Sequence, residues 1–159
     1  MVVAASNILS LPISYLKATV AASSTFQTWC GTSAGAATLA RVHVGRATAA
    51  STLPLAAVGF ASDFRRTSET PGFFDTEGAL ELLFRDDFSS ALNESDAAFT
   101  FLNTLGGVMQ DMEALNATAG YLSMMSWTIA EGPYRTNTDE EQTIGYIYEA
   151  IIRIDYVGV

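Results

Sequence analysis

The sequence predicts an α+β fold: a mostly antiparallel sheet of about five strands with two main helices packed on one face. Three observations carry this prediction. Apolar residues recur at helical spacing in 12–29 and in 95–116. They alternate with polar residues, as in a strand, in 77–86 and in 143–157. The third observation is the length, because 159 residues suit one domain, 1–159, and leave little room for two.

The two predicted helices have recognisable ends. The first covers 12–29 and stops before Gly31, a residue type that favours the position just after a helix. The second covers 95–116, and either Ser95 or Asp96 is placed to cap its first turn. Both helices carry an apolar stripe, so each is expected to pack against the sheet.

Alternating segments and apolar runs bounded by turn residues predict the strands. Their predicted ranges are 39–44, 53–60, 77–86, 121–130 and 143–157. The second and third are expected to pair as an antiparallel hairpin whose strands are joined by a long loop, 61–76. At ~3.3 Å per residue the last strand would span roughly 50 Å, which is more than one small sheet needs. We therefore expect it either to bend or to pair beyond its own subunit.

The charge balance is acidic, with 17 acids against 8 bases and a net charge of −9. Binding to nucleic acid or to an anionic membrane surface requires clusters of Lys and Arg. The only adjacent basic pair, Arg65–Arg66, is flanked by Asp63 and Glu69. Residues 18–40 carry no charge, but Ser, Thr, Gly and Gln interrupt them too often for a membrane span. We predict neither a basic nucleic-acid-binding surface nor a membrane protein.

The overall composition points to self-association. The chain is 49% hydrophobic but only 16% charged. A small domain that stays alone in solution usually displays more Lys, Glu, Arg and Asp on its surface. The shortage of charge therefore predicts that further copies or partners cover part of the surface.

The sequence offers little material for catalysis. Hydrolytic chemistry needs a nucleophile beside a base, yet the single histidine, His43, lies between two valines of a short strand. The single cysteine, Cys30, is interpreted as a buried small hydrophobic residue, and too few His and Cys ligands are present for zinc. The acid runs Asp86–Asp87 and 139–141 are interpreted as solvated turns. We predict that the protein is not an enzyme and needs no metal or cofactor.

The predicted loop 61–76 combines charges with aromatic residues. Aromatic and arginine side chains supply most of the binding energy at protein interfaces. This loop is therefore predicted to contact a partner. The candidate interface residues are Phe64, Arg65, Arg66, Phe73 and Phe74.

Two features together resemble the tail terminator proteins of long-tailed bacteriophages. One is the element order, with a long charged and aromatic loop between the second and third strands. The other is the final stretch, in which Glu-Gly-Pro-Tyr-Arg at 131–135 leads through an acidic loop to Tyr-Glu-Ala-Ile-Ile-Arg-Ile-Asp-Tyr at 148–156. The resemblance covers nearly the whole chain as a pattern of elements.

The resemblance implies a structural protein of the virion, located in the tail or neck and assembled in the host cytoplasm. It implies a homo-oligomeric ring, expected to be a hexamer, that stops tube growth and joins the tail to the head. The implied partners are the tail tube protein and the head–tail connector, while DNA passes through the ring without specific binding. Loop 131–142 would then face the lumen or rim. Its candidate residues are Tyr134, Arg135, Asp139, Glu140 and Glu141.

Two alternatives stay open at this point. The first is another phage neck component, such as a tail-completion or head-closure protein with the same layout. The second belongs to a different class: a small-ligand-binding α+β domain with a cleft near Trp127 and Tyr146.

Overall fold

A computed structural model describes the chain over residues 7–33, 35–45, 51–61, 64–70, 73–88, 93–119, 123–135 and 146–157. These residues form an α+β fold in which the helices pack on one face of a single sheet, as predicted. Within the described segments, no helix combines the length and apolar character that crossing a bilayer requires.

The predicted helix 12–29 is in fact two helices. The helices are α1 (Asn7–Ala22), α2 (Ser24–Cys30), α3 (Ala36–Leu39) and α4 (Glu94–Ala119). Ser23 breaks the first segment, because its backbone is extended and its hydroxyl accepts a hydrogen bond from the Phe26 amide at 3.1 Å. The end of α2 is confirmed, since Gly31 follows it with a φ of 63°. The N-terminal cap of α4 is Asn93 and not the predicted Ser95 or Asp96. Its Oδ1 accepts a hydrogen bond from the Asp96 amide at 2.9 Å.

A residue distant in sequence holds this break in place. Asp111, on α4, accepts hydrogen bonds through Oδ2 from the Thr25 amide at 2.8 Å and from the hydroxyls of Ser23 at 2.8 Å and Ser24 at 3.1 Å. These bonds, led by that of the Thr25 amide, lower the pKa of the Asp111 carboxyl. The carboxylate therefore ties the start of α2 to α4.

The sheet is mixed, although most of its pairs are antiparallel. The strands are β1 (Val42–Val44), β2 (Leu55–Phe60), β3 (Arg65–Thr70), β4 (Phe73–Phe88), β5 (Ser123–Arg135) and β6 (Tyr146–Val157). Their order across the sheet is β1-β2-β4-β6-β5, with β3 also paired to β4. β1 and β2 run parallel, while the other pairs are antiparallel.

The prediction of a loop over 61–76 is wrong. β2 pairs with β4 as far as Phe60 and Leu80, and β3 then pairs with the same strand from Arg65 opposite Glu77 to Thr70 opposite Phe73. Its described strand residues, 65–70 and 73–76, instead continue the pairing of β2 with β4 beyond Phe60. Threonines and aromatic residues favour extended backbone, and pairing satisfies amides that a loop would expose to water.

The length of β6 is accommodated inside the subunit. Every residue from Tyr146 to Val157 pairs with β4, between Phe88 and Glu77. The expectation that this strand pairs beyond its own subunit is therefore wrong for the described residues, because β4 is 16 residues long. The predicted loop 131–142 is wrong in its first part as well, since β5 continues to Arg135.

The core lies between the sheet and the helices α1, α2 and α4. The predicted alternation of β6 is confirmed, because every second residue is buried against the helices. These buried β6 residues are Tyr148, Ala150, Ile152, Ile154 and Tyr156. Aromatic rings fill the centre, where Phe101 contacts the rings of Trp29 and Tyr148. The interpretation of Cys30 as a buried hydrophobic residue is also confirmed.

Candidate interaction surfaces

The sheet face opposite the helices is called here the open face. Strand alternation places on it the residues of β4 and β6 that lie between the core positions. In-register pairing aligns Ala57, Leu83, Ile151 and Glu131 in one row across β2, β4, β6 and β5. Leu83 and Ile151 are half-buried although no described element packs above them. The open face therefore has an apolar centre.

A hollow of about 510 Å³ occupies part of this face. It forms because β2 presents only small residues here, Ala57 and Gly59, beside the longer side chains of β4. Gly45, Glu81, Leu83, Arg85, Glu149 and Ile151 complete its lining.

One end of the hollow is closed by a charged cluster. Arg85 and Glu149 are direct partners on β4 and β6, and both Nε, at 2.7 Å, and Nη2 of Arg85 donate to Glu149 Oε2. The hydroxyl of Tyr134 donates to Glu149 Oε1 at 3.2 Å. Glu149 is buried, so these donors offset the loss of water around its charge. Desolvation and the nearby Glu149 carboxylate raise the pKa of Tyr134.

The backbone of β5 approaches β6 closely beside this cluster. Gly132 has a φ of 81°, and a Cβ built on it would lie 2.5 Å from the carbonyl oxygen of Glu149. Glycine alone permits this geometry. The register of β5 shifts on both sides of Glu131, which brings Tyr134 opposite Glu149.

Charges on the open face are unevenly matched. Arg85 is paired with Glu149, and Nε of Arg153 donates to Asp155 Oδ1 at 3.1 Å. Further carboxylates on the same face are exposed, and no described side chain pairs with them. These carboxylates are Glu77, Glu81, Asp87 and Glu131.

The ribbon that β3 forms with residues 73–76 of β4 is called here the arm. At Glu77, β4 still has a neighbour on each side, namely Arg65 and Val157. From Phe73 to Thr76 it pairs with β3 alone, as far as the structure describes the chain. The arm is thus a two-stranded extension of the sheet, and it contains all the candidate interface residues except Phe64.

The predicted interface residues are placed only in part. Phe64 lies directly before β3, and its ring packs edge-on against that of Phe60 of β2, with centroids 5.9 Å apart. Arg65 is exposed. For Arg66, Phe73 and Phe74 the structure describes the backbone in strands but not the side chains.

The predicted lumen residues separate onto two faces. Tyr134 lies on the open face, whereas Arg135 lies opposite Tyr148 and approaches Glu94 of α4 to within 4.0 Å. Both are on β5 and not in a loop. The acids Asp139, Glu140 and Glu141 lie outside the described residues.

The predicted ligand cleft near Trp127 is not where the described hollow lies. Nε1 of Trp127 donates to Glu113 Oε1 on α4 at 2.5 Å, so this ring faces the helices. The hollow lies on the opposite side of the sheet. The structure does not describe the side chain of Tyr146.

The interpretation of Asp86–Asp87 as a solvated turn is wrong. Asp86 lies in β4 with its side chain buried on the helix face, where Nε1 of Trp29 donates to Oδ2 at 2.5 Å. The Asp87 amide donates to Oδ1 at 2.8 Å. Burial raises the pKa of the Asp86 carboxyl, and this effect is larger than the lowering by the two hydrogen bonds.

This carboxyl makes a testable contribution to the pH dependence of stability. Its folded pKa is raised, so its contribution is fully present below the unfolded value and declines as the pH rises through the folded value. We expect the free energy of unfolding of the wild type to fall relative to that of Asp86→Asn between pH 3 and pH 7, measured by urea denaturation. Trp29→Phe should make the total decline larger and extend it to higher pH, because the indole N–H lowers this pKa. A stability difference that does not change with pH would contradict this assignment.

No catalytic grouping emerges from the described part of the chain. Within it, no group of three or more His, Cys, Asp and Glu side chains could hold a metal ion. His43 lies on β1, at one edge of the described sheet, opposite Ala57. Burial raises the pKa of Cys30 to about 11, which leaves little thiolate near neutral pH.

The Arg85–Glu149 pair and the exposed Glu81 were missed by sequence reasoning. Alternation within β4 and β6 places all of them off the core face, but only the register brings Arg85 opposite Glu149. Comparison with known proteins adds no family: no protein-family model matches the sequence, and no curated protein matches it.

Proposed function

We propose that this chain is a structural virion protein that forms a ring at the head-proximal end of a phage tail tube. The ring stops polymerisation of the tube and joins the tail to the head or neck complex. Its partners are further copies of the chain, expected to make a hexamer, the tail tube protein and the head–tail connector. The protein has no catalytic role and no cofactor in this proposal.

The arm is the observation that carries the proposal. A two-stranded ribbon outside a larger sheet is marginally stable in water, so an arm of this kind is favoured where another surface covers it. The open face offers a second surface that no described element covers. The arm and the open face offer two places for contact on one chain, and such a pair supports head-to-tail association, which gives a ring when the rotation between neighbours closes.

The net charge fits a passage for DNA. Each chain carries −9, and every copy in a ring would add this charge, so we propose that the lumen is negative. A negative lumen repels phosphates, so DNA would slide through without being held. The ring should therefore fail to retard duplex DNA in a gel even at low salt, where electrostatic binding is strongest.

Assembly is tested by native mass spectrometry at micromolar concentration, alone and with tube protein encoded by the same genome. We expect a closed species of six times the 16.9 kDa chain mass, and tubes whose growth stops when it is added. Electron microscopy should show the added protein at one end of each tube. A chain that stays monomeric with and without tube protein contradicts the proposal.

The same experiment separates the alternatives. A different neck or head-closure protein would form a ring but leave tube growth unchanged. The hollow on the open face favours the ligand-binding alternative, because its volume would suit a small molecule. A ligand-binding domain should remain near 16.9 kDa in solution.

A further inference from the structure

Gly59 is an unusual residue for its place in the sheet. It lies inside β2, opposite Glu81 of β4, in a stretch of pairing that contains no bulge. Its φ is not in the left-handed region, and a Cβ built on it would meet no described atom within 4 Å. Neither the backbone conformation nor the packing of the described chain therefore requires glycine here. Glycine inside a strand weakens it and often marks a place where a ligand or another backbone approaches.

The open space at Gly59 belongs to the hollow of the open face. The floor of the hollow, Ala57 and Gly59, carries almost no side chain, and the half-buried Leu83 and Ile151 form an aliphatic wall. Its volume of about 510 Å³ falls in the range of small-molecule sites. None of the residues that line it belongs to the arm.

Arg85 offers unused hydrogen-bond donors to this cavity. Its Nε, at 2.7 Å, and its Nη2 donate to Glu149 Oε2. A guanidinium carries more N–H donors than this contact uses. Among the described residues no other acceptor bonds them, and the side chain of Arg85 is 31% exposed at the edge of the hollow. A molecule in the hollow would complete these bonds with a carbonyl or carboxylate oxygen.

The surrounding charges favour a carbonyl. Glu149 already neutralises Arg85, so a ligand carboxylate would meet a like charge beside it. Glu81 makes the lining one base against two acids. A cation is disfavoured as well, because it would approach the positive charges of Arg85 and of Arg153, which lies opposite Glu81. An uncharged ligand avoids both costs.

We propose that the hollow binds an uncharged, amide-containing ligand of about dipeptide size. A carbonyl oxygen of this ligand accepts from Arg85, an amide N–H donates to Glu81, and its aliphatic part covers Ala57 and Leu83. Arg85 and Glu81 lie about 13 Å apart along β4, a span that a blocked dipeptide bridges with the reach of the two side chains. This inference goes beyond the proposed ring and does not rest on it.

Three probes that share one aliphatic body test the ligand class. They are acetyl-leucyl-alanine amide, which is uncharged, acetyl-leucyl-alanine, which has a carboxylate, and leucyl-alanine amide, which has an ammonium group. NMR titration of the whole chain at pH 7 should show saturable binding of the uncharged probe, with shifts at Ala57, Leu83 and Ile151. The carboxylate probe should bind at least ~10-fold more weakly and the ammonium probe several-fold more weakly. A charged probe that binds tightest, or shifts that map elsewhere, would overturn the assignment.

Filling the hollow gives a matched test. Gly59→Val places a side chain in the open space, so the affinity for the uncharged probe should fall at least ~10-fold. Its thermal unfolding should occur at the same or a higher temperature, because valine favours a strand more than glycine does. Thr128→Val is the control, since Thr128 lies on β5 and does not line the hollow, and it should bind like the wild type. Unchanged affinity in folded Gly59→Val would place the ligand elsewhere and sink the proposal. The shift mapping uses the wild type alone, so it decides the site even if the variant does not fold.

The outcomes separate the ligand from the function. Binding of the uncharged probe that is lost in Gly59→Val supports the inference whether or not the chain forms a ring. If no probe binds saturably to the wild type, the inference is wrong and the proposed ring is unaffected. If the probe binds and the chain stays monomeric with and without tube protein, the inference stands and the ligand-binding alternative replaces the proposed function.

Discussion

Phe101→Ala is expected to lower the free energy of unfolding by about 3–5 kcal/mol, the usual cost of truncating a fully buried aromatic residue. Phe101 has no exposed surface and lies at the centre of the aromatic core. Its ring meets Trp29 at 5.6 Å and Phe88 at 6.3 Å between centroids. The alanine would leave a cavity that α4 and the sheet cannot close. Urea denaturation followed by circular dichroism measures the change.

Phe99→Ala is the matched control, because it changes the same residue type on the same helix. Phe99 is 65% exposed, so its removal should change stability by less than about 0.5 kcal/mol. Equal losses for Phe99→Ala and Phe101→Ala would show that α4 does not present Phe101 to the sheet.

The second large effect is expected at Gly132. Gly132→Ala should destabilise the protein by at least about 2 kcal/mol, because a left-handed backbone is strained for alanine and the new methyl group meets backbone. The atom it would meet is the carbonyl oxygen of Glu149. To relieve this clash, β5 would have to move away from β6, which would weaken the bond between Tyr134 and Glu149. Thermal unfolding and tyrosine fluorescence would report the two changes.

Gly106→Ala is the control for this substitution and should have the opposite sign. Gly106 lies within α4, and a Cβ there meets no atom within 4 Å. Alanine in a helix interior is favoured over glycine by about 0.8–1 kcal/mol, so stability should rise. A loss at Gly106 comparable to that at Gly132 would contradict the packing described for α4.

Local periodicity predicted the elements that bury one face. β6 alternates with a period of two, and Tyr148, Ile152 and Tyr156 are buried as that pattern predicts. α4 repeats its apolar residues at helical spacing, and Met109 and Met112 are fully buried. Such patterns are visible in sequence because each face of these elements meets one environment along its whole length.

Other features arise from residues far apart in the chain. The break at Ser23 is held by Asp111, and the burial of Asp86 accompanies its bond to Trp29. Neither partner is a sequence neighbour. A prediction from local patterns therefore treated the first helix as continuous and assigned Asp86 to a turn. Residues 65–70 form a strand because β4 supplies their hydrogen-bonding partner.

The sequence by itself determined the α+β class, the core faces of α4 and β6, and the acidic charge, since these depend on composition and local period. The tertiary structure alone decided the surfaces available to a partner. Register placed Arg85 opposite Glu149, and the pairing of β3 with residues 73–76 of β4 produced the arm. The small residues Ala57 and Gly59 became the floor of a hollow. The physical reason is that strand pairing joins distant segments through backbone hydrogen bonds, whose register depends on the packed sheet as a whole.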